Sequence, residues 1–293
     1  MNVLATSLFV ESIGFGLITA AVLAIAAVGF TLQFAVTNVL NLAYAAVMIV
    51  AAYVGYVVNQ AGISAWIGAL AAIVAGALLS LLLNSFIYRP FQRRGAPAVS
   101  LVIVSLGMLL ILEFGTQAWA GPTNVSYSMS QGATLTLGSI VLTVAQIAII
   151  VISIVVMAAV HLLIRYTRLG KAMRATAANR DLARNCGIRT DRVVTATWLL
   201  TGALCGLAGV VFAMNSGTFG ATSTDLFLVL ILAAVFLGGP GQPYGAMLGA
   251  LVIGIATEVS ASIVVADYKD VIAFIILLAM LMVRPNGLLG ARA

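Results

Sequence analysis

Charged side chains are scarce in this chain: Asp, Glu, Lys and Arg make up only 8% of its 293 residues, whereas hydrophobic residues make up 63%. A soluble globule needs more polar surface than this, because its exterior faces water. The mean hydropathy of +1.18 therefore excludes a soluble protein and indicates one that lies in lipid. Uncharged runs such as 12–88 hold several segments of about 20 residues, the length of a helix that crosses a bilayer.

Cysteine and histidine are also rare. Cys186 and Cys205 lie in a basic stretch and in an apolar run, so we expect no disulfide framework. The single His161 is expected at a membrane interface, and no His, Cys and carboxylate cluster indicates a metal site. The sequence contains no GxxxxGK[ST] motif, the loop that holds the phosphates of ATP. We therefore expect no catalytic residue, metal or cofactor in this chain.

Polar breaks divide the chain into apolar segments that predict an all-α polytopic membrane protein with about 8–9 transmembrane or half-spanning helices. The alternation typical of a β-barrel is absent, and the chain 1–293 is expected to be one transmembrane domain. The segments are 12–36, 39–59, 62–88, 98–120, 139–163, 193–215, 226–238, 245–263 and 270–283. Because 226–238 is short and is followed by GGPGQPYG, it forms with 245–263 either a re-entrant pair or two full crossings.

The basic residues predict the orientation, because cytoplasmic loops collect Lys and Arg. They form three clusters, namely Arg89, Arg93 and Arg94; eight residues within 165–192; and Arg284 with Arg292. With all three clusters in the cytoplasm, the N-terminus and the loop 121–137 lie outside and the C-terminus lies inside. Only Lys269, next to Asp267 and Asp270, then falls on the outer side.

The stretch 165–192 holds eight of the fourteen Lys and Arg residues, and it also contains an alanine-rich element. Any cytoplasmic loop collects positive charge, but a simple loop does not need helix start and stop signals. Thr167 can cap a helix that begins near Leu169, and Gly187 can end it in a left-handed conformation. Asp191 can then cap the following span. We therefore predict a structured cytoplasmic helix in this stretch.

Four blocks cover nearly the whole chain and resemble one known family in combination. They are TRLGKAMRATAANRDLARNCGIRTDRV at 167–193, VFLGGPGQPYGAMLGALVIG at 235–254, YKDVIAFIILLAMLMVRPNGLLG at 268–290 and GFTLQFAVTNVLNLAYAAVMIVAAYVGY at 29–56. These blocks resemble ABC importer permeases of the branched-chain amino acid type, in particular the shorter of the two permeases of such systems. The resemblance implies a multi-pass protein of the bacterial cytoplasmic (inner) membrane that moves branched-chain or other apolar amino acids.

The resemblance also implies the partners. They are the lipid bilayer, a second homologous permease, two ATPase subunits that bind ATP and Mg, and an extracytoplasmic solute-binding protein, with no nucleic acid. The stretch 165–192 would be the coupling segment that docks on an ATPase. The positions implied for this role are Arg168, Gly170, Lys171, Arg174, Ala177, Asp181 and Gly187. Closure of the ATPase dimer would push the docked helix and rock the attached spans.

The chain departs from the family pattern at a few positions. Tyr44 and Ala45 stand where an Asn-Phe-Ala-His-Gly type sequence has His and Gly. The triplet Gln242-Pro243-Tyr244 stands where Ser-Ile-Pro residues are often found, and Asn185 with Cys186 replaces a pair of larger apolar residues in the coupling segment. The change at Tyr44 bears on the identity of the solute rather than on the transport mechanism.

Polar or helix-breaking residues within apolar runs are candidates for the solute path. They are Asn38, Asn41, Tyr44, Glu113, Gly238 and Gly239. A carboxylate inside a membrane is costly, so Glu113 is either functional or a hydrogen-bonded contact between helices. The asparagines and Tyr44 either bind a solute or join helices, and the glycines mark either a discontinuous helix or an ordinary turn.

Two other functions are compatible with the sequence. A permease of the same superfamily can carry urea, short amides or a sugar. A protein of a different class, an ion-coupled secondary transporter or a channel, would have a similar composition. Ion-coupled carriers usually need several buried acidic groups, however, and Glu113 is almost the only deep carboxylate here.

Overall fold

The computed structural model describes residues 2–128, 134–137, 140–261, 269–283 and 287–289, and in these ranges the fold is helical apart from one short hairpin. The first half contains α1 Asn2–Thr37, α2 Tyr44–Gln60, α3 Ala65–Leu83, a π-helical turn Asn84–Tyr88, α4 Arg89–Arg93, α5 Ala98–Ala120 and the antiparallel strands β1 Thr134–Leu137 and β2 Ile140–Thr143. The second half contains α6 Val144–Tyr166, α7 Arg168–Ala178, α8 Arg180–Asn185, α9 Thr190–Ser216, α10 Ser223–Gly238, α11 Pro243–Ala261 and α12 Lys269–Val283.

Each of the nine predicted apolar segments corresponds to a helix, so the prediction of a polytopic helical protein is confirmed. Within the described ranges, six helices are long and apolar enough to cross a membrane. They are Glu11–Thr37, Ala65–Arg93, Ala98–Ala120, Val144–Tyr166, Thr190–Ser216 and Pro243–Ala261. The apolar helices Tyr44–Gln60, Ser223–Gly238 and Val271–Val283 are shorter. The orientation remains a prediction, and Asp267, Arg284 and Arg292 lie outside the described residues.

The start of the predicted segment 139–163 forms β2 rather than helix. The helix begins only at Val144 because Thr143 forms a capping box with Gln146. The Thr143 hydroxyl accepts from the Gln146 backbone N–H over 3.2 Å, and the Gln146 side chain accepts from the Thr143 N–H over 2.9 Å. These two bonds satisfy backbone donors that a helix end otherwise leaves unpaired.

The centre of the protein is formed by α1 and α9. In their apolar windows 72% and 67% of the residues are buried, against 22% in both α5 and α6. The helices α3 and α9 approach closely at Gly76, Gly202 and Gly206. The absence of side chains there permits the approach, since a side chain on any of these residues would strike the facing backbone. Small residues commonly permit such contacts between membrane helices. Residues on α5 and α6 are left to face lipid or another subunit.

The predicted helix break at the GGPGQPYG sequence is confirmed as a tight turn between α10 and α11. Gly239 and Gly241 adopt positive φ angles of 108° and 84°, which favour glycine. The C-terminal residues 287–289 pack against this turn: the N–H of Leu288 donates to the Leu237 carbonyl over 2.8 Å. The Leu289 N–H donates to the Gly238 carbonyl over 3.1 Å. The end of α10 is thereby closed by the chain's own backbone.

Candidate coupling surface and solute path

The stretch 165–192 forms two helices, so the prediction of one continuous helix is wrong. Asn179 separates α7 from α8 with an extended backbone, φ −158° and ψ 111°, and its side chain accepts from the Leu182 N–H over 2.9 Å. Asn is a strong N-cap residue, and this cap favours a new helix start over continuation. The predicted outer boundaries are confirmed: the Thr167 hydroxyl accepts from the Gly170 N–H over 3.0 Å. Gly187 follows α8 with φ 83°.

The residues implied for coupling differ sharply in exposure. Gly170 is buried, together with Met173 and Thr176 one and two turns later. The remaining six are exposed, namely Arg168, Lys171, Arg174, Ala177, Asp181 and Gly187. The spacing of three along α7 places the exposed positions on one face and the buried positions on another. The segment therefore presents a basic outer face and packs through its opposite face.

Gly170 allows α7 to pack on the end of α6. A side chain at this position would meet the Leu163 carbonyl and the backbone of Ile164. The close contact holds the first turn of α7 directly against the preceding membrane helix. Gly170 thus orients the segment without offering a surface to a partner.

The sequence predicted Asp191 as an N-cap, and this prediction is wrong. The helix α9 begins one residue before Asp191, at Thr190, so the N-cap position is Arg189. The carboxylate of Asp191 instead pairs with three arginines. Its Oδ2 lies 3.4 Å from Arg89 Nη2 and 4.0 Å from Arg93 Nη2, and its Oδ1 lies 3.7 Å from Arg180 Nη2. Sequence spacing does not reveal this cluster, since the partners come from separate helices.

The predicted helix break around Asn38 is confirmed, and it lies between α1 and α2. Asn38 is exposed and has a positive φ of 53°, a conformation that Asn tolerates better than most residues. Asn41 is buried, and its Oδ1 accepts from the Tyr88 hydroxyl over 2.7 Å. The Ser105 hydroxyl of α5 accepts from the Leu42 N–H over 3.3 Å. The break is therefore held by Tyr88 of the π-helical turn and by Ser105 of α5.

Tyr44 lies inside the protein, 2% exposed, between α1 and α9. Its hydroxyl donates to the Thr201 carbonyl over 3.3 Å, and its ring packs edge-on against Phe30 with centroids 5.6 Å apart. The Tyr44 hydroxyl also lies where a side chain on Gly29 would project. Tyr44 thus fills a space that glycine leaves open.

Glu113 is 5% exposed on α5, the same helix that holds the α1–α2 break through Ser105. The glycine pair has a different environment: Gly238 contacts the backbone of Gly245, and Gly239 contacts Gly287. The six path candidates are therefore distributed over three places in the fold.

A cleft of about 410 Å³ opens between α1, α6, α9, α10 and α11, and none of the six path candidates lines it. Its polar lining includes Thr19, Gln146, Asn215, Ser223 and Glu258, and its apolar lining includes Phe212. The Thr19 hydroxyl donates to Glu258 Oε1 over 3.1 Å. No local sequence pattern marks Glu258 as part of a cleft, because the lining comes from five helices that are separated in the chain.

Gln33 is a second polar residue that no sequence pattern marked. It is 1% exposed on α1, and within the described part of the chain neither amide atom of its side chain has a hydrogen-bond partner. The nearby Thr31 hydroxyl is in the same situation. Buried polar groups without partners are uncommon, so these atoms mark a polar point in the core of the membrane domain.

Comparison with known proteins matches residues 12–281 to a family model described as branched-chain amino acid transport system, permease component. The chain is 28% identical to the high-affinity branched-chain amino acid transport system permease protein LivH of Escherichia coli, over 96% of both chains. It is 27% identical to the permease protein BraD of Pseudomonas aeruginosa over 94% of both chains. It is 29% identical to a probable LivH of Methanocaldococcus jannaschii, over 92% of this chain and 88% of the relative. No solved structure matches the chain.

Proposed function

The chain belongs to the family of permease components of branched-chain amino acid transport systems, and on that premise we propose how it takes part in ATP-driven import. It is a multi-pass permease of the cytoplasmic membrane that carries branched-chain or other apolar amino acids and is not itself catalytic. ATP is bound and hydrolysed by separate subunits. The alternative of an autonomous ion-coupled carrier loses its basis, since family membership covers residues 12–281.

The segment 165–192 is proposed as the surface that receives the ATPase. Its support is the exposed basic face of α7, which includes Arg168, Lys171 and Arg174. Leu182 on α8 is 61% exposed, an apolar side chain that a docked partner would cover. Gly170 transmits force by holding α7 rigidly on α6. A structured contact of this kind can carry rigid-body motion into the membrane helices.

The solute path is proposed to run past the α1–α2 break. Asn38 and Glu113 would offer polar contacts, whereas Asn41 and Tyr44 would hold the break in shape. Gly238 and Gly239 would set the position of the α10–α11 turn beside it. The break is supported by two hydrogen bonds: Tyr88 of the π-helical turn after α3 donates to Asn41, and Ser105 of α5 accepts from the Leu42 N–H. Movement of these helices would therefore change the shape of the path.

The complex is proposed to contain a second homologous permease, two ATPases and an external solute-binding protein. The low burial of α5 and α6 supports a partner in the membrane. The N-terminus is placed outside and the C-terminus in the cytoplasm, and the whole chain 1–293 acts as one membrane domain. In this arrangement the external solute-binding protein sets much of the selectivity for the solute.

The proposed function is tested by ATP-driven uptake of radiolabelled leucine in proteoliposomes that contain both permeases, both ATPases and the binding protein. We expect uptake that requires ATP hydrolysis. The double variant Lys171→Ala/Arg174→Ala should lower uptake about tenfold if the basic face docks the ATPase, whereas Arg94→Ala should leave it unchanged. Normal uptake by the double variant with full assembly would contradict the coupling assignment.

The solute is identified separately by calorimetry on the purified binding protein with a panel of branched-chain amino acids, short amides and sugars. We expect binding of apolar amino acids. Tight binding of an amide or a sugar alone would replace the proposed solute and leave the transport mechanism untouched.

A further inference from the structure

We propose that Asp191 is a positioning residue for energy coupling. Its carboxylate ties α8, part of the coupling segment 165–192, to α4 and α9, so that the three helices move together. The proposal rests on the proposed docking function of the segment 165–192. It adds a residue that is neither among the positions implied for coupling nor part of the exposed basic face of α7.

The geometry of the Asp191 cluster uses both carboxylate oxygens. Oδ2 pairs with Arg89 and Arg93, which are one turn apart in α4, at 3.4 and 4.0 Å. Oδ1 pairs with Arg180, the first residue of α8, at 3.7 Å. One side chain of α9 therefore joins two cytoplasmic segments that are distant in sequence.

The carboxylate of Asp191 holds the three positive charges of this cluster close to one another. Arg89, Arg93 and Arg180 would repel one another if Asp191 were neutral. The arginine side chains are 41–66% exposed, and single pairs at such exposure add little to overall stability. The expected effect of the cluster is therefore on where α8 sits rather than on whether the protein folds.

The short helix α8 has few other anchors. Ala183 is the one buried residue among the six of α8, whereas α4 is the last turn of the continuous apolar helix Ala65–Arg93 and directly follows the buried Tyr88. Asp191, in contrast, stands on a helix start whose neighbours Thr190, Val193 and Val194 are all buried. The carboxylate thus joins the weakly anchored α8 to the start of the core helix α9 and to the end of the helix Ala65–Arg93.

The native cysteines allow the position of α8 to be measured directly. Cys186 follows α8 and is exposed, whereas Cys205 is buried, so a nitroxide reagent will label the full chain at Cys186. In nanodiscs we expect a restricted electron paramagnetic resonance spectrum for the parent and a more mobile one for Asp191→Asn and Arg180→Gln. This measurement needs no transport activity, so it tests the tie even if the proposed function fails.

The coupling role is measured as leucine uptake per ATP hydrolysed in the complete reconstituted complex. Asp191→Asn should lower this ratio about fivefold or more, since coupling between linked sites is commonly of this size. Asp191→Glu should restore both the ratio and the restricted spectrum, because it keeps the carboxylate. Arg184→Gln is the matched control, since it removes the same charge from α8 one turn away from Arg180.

The outcomes separate the possible explanations. An unchanged spectrum and an unchanged ratio in Asp191→Asn would overturn the proposal. A mobile label with an unchanged ratio would show a structural tie without a coupling role, and would overturn it as well. An equal fall of the ratio in Arg184→Gln would show that α8 needs positive charge in general rather than this contact. If the parent complex shows no ATP-driven uptake, the proposed function fails independently of the spectra.

Discussion

The buried hydrogen bond between Tyr88 and Asn41 is the contact that most directly secures the break between α1 and α2. The donor and acceptor are 2.7 Å apart, Tyr88 is fully buried and its ring packs on Trp198 with centroids 4.9 Å apart. A buried acceptor that loses its only donor retains the cost of leaving water. A single hydroxyl therefore matters more here than at the surface.

Tyr88→Phe should lower the free energy of unfolding by about 1–3 kcal/mol, because it leaves the Asn41 carbonyl oxygen without its donor. The change is measured by thermal unfolding of the purified chain in detergent. Tyr166→Phe, at a side chain that is 64% exposed, is the control and should have little effect. Equal melting temperatures for the parent and Tyr88→Phe would show that the bond does not stabilise the break.

Glycine positions in the spans have two different roles, which their surroundings distinguish. A methyl group on Gly206 of α9 would strike the Ala72 carbonyl of α3, whereas one on Gly107 of α5 would meet no atom within 4 Å. Gly206→Ala should therefore destabilise the protein by about 1–3 kcal/mol, and Gly107→Ala should not. The comparison is made by chemical or thermal unfolding in the same detergent. A similar stability for the two variants would contradict the close packing of α3 on α9.

At the scale of helices, the separation of α7 and α8 depends on Asn179. Its side chain caps α8 and its extended backbone changes the direction of the chain. The flanking residues of α7 and α8, including Ala177, Ala178 and Leu182, are otherwise good helix formers. The cap decides between one helix and two.

Asn179→Ala should remove about 1 kcal/mol of capping energy and favour a continuous helix across the junction. We expect lower leucine uptake by the reconstituted complex and a changed spectrum of a label at Cys186. Asn179→Asp keeps an acceptor at this position and should retain both properties. If Asn179→Ala transports as well as the parent, two separate helices are not needed for coupling.

The sidedness of the whole molecule can be tested with its own cysteine. Cys186 is exposed in the segment proposed to be cytoplasmic, so a membrane-impermeant maleimide should react with it in inverted vesicles only. Thr123→Cys in a Cys186→Ser background should react from the opposite side, since Thr123 is exposed in the loop after α5. Reaction of both sites from the same face would overturn the proposed orientation.

Sequence alone established much of the overall organisation. The apolar runs located the apolar helices and their order, because crossing the bilayer requires about 20 apolar residues whatever the tertiary fold. They did not reveal the short helices α4, α7 and α8 as separate elements. Local signals correctly placed the start of α7 at Thr167, the end of α8 at Gly187 and the turn after Gly238. Such signals act within a few residues of the chain, so they can be read from it directly.

Tertiary structure decided how distant segments meet. The capping pattern predicted one helix, but the side-chain cap of Asn179 divides it into α7 and α8. The same pattern predicted an N-cap at Asp191, which instead pairs with arginines of α4 and α8. The burial of Gly170 against α6 was equally invisible in its local sequence. Charge and hydropathy in the sequence determined that this protein lies in the membrane and that the segment 165–192 is basic. Packing decided which basic residues are exposed on α7 and which pair with Asp191, because that depends on contacts between helices far apart in the chain.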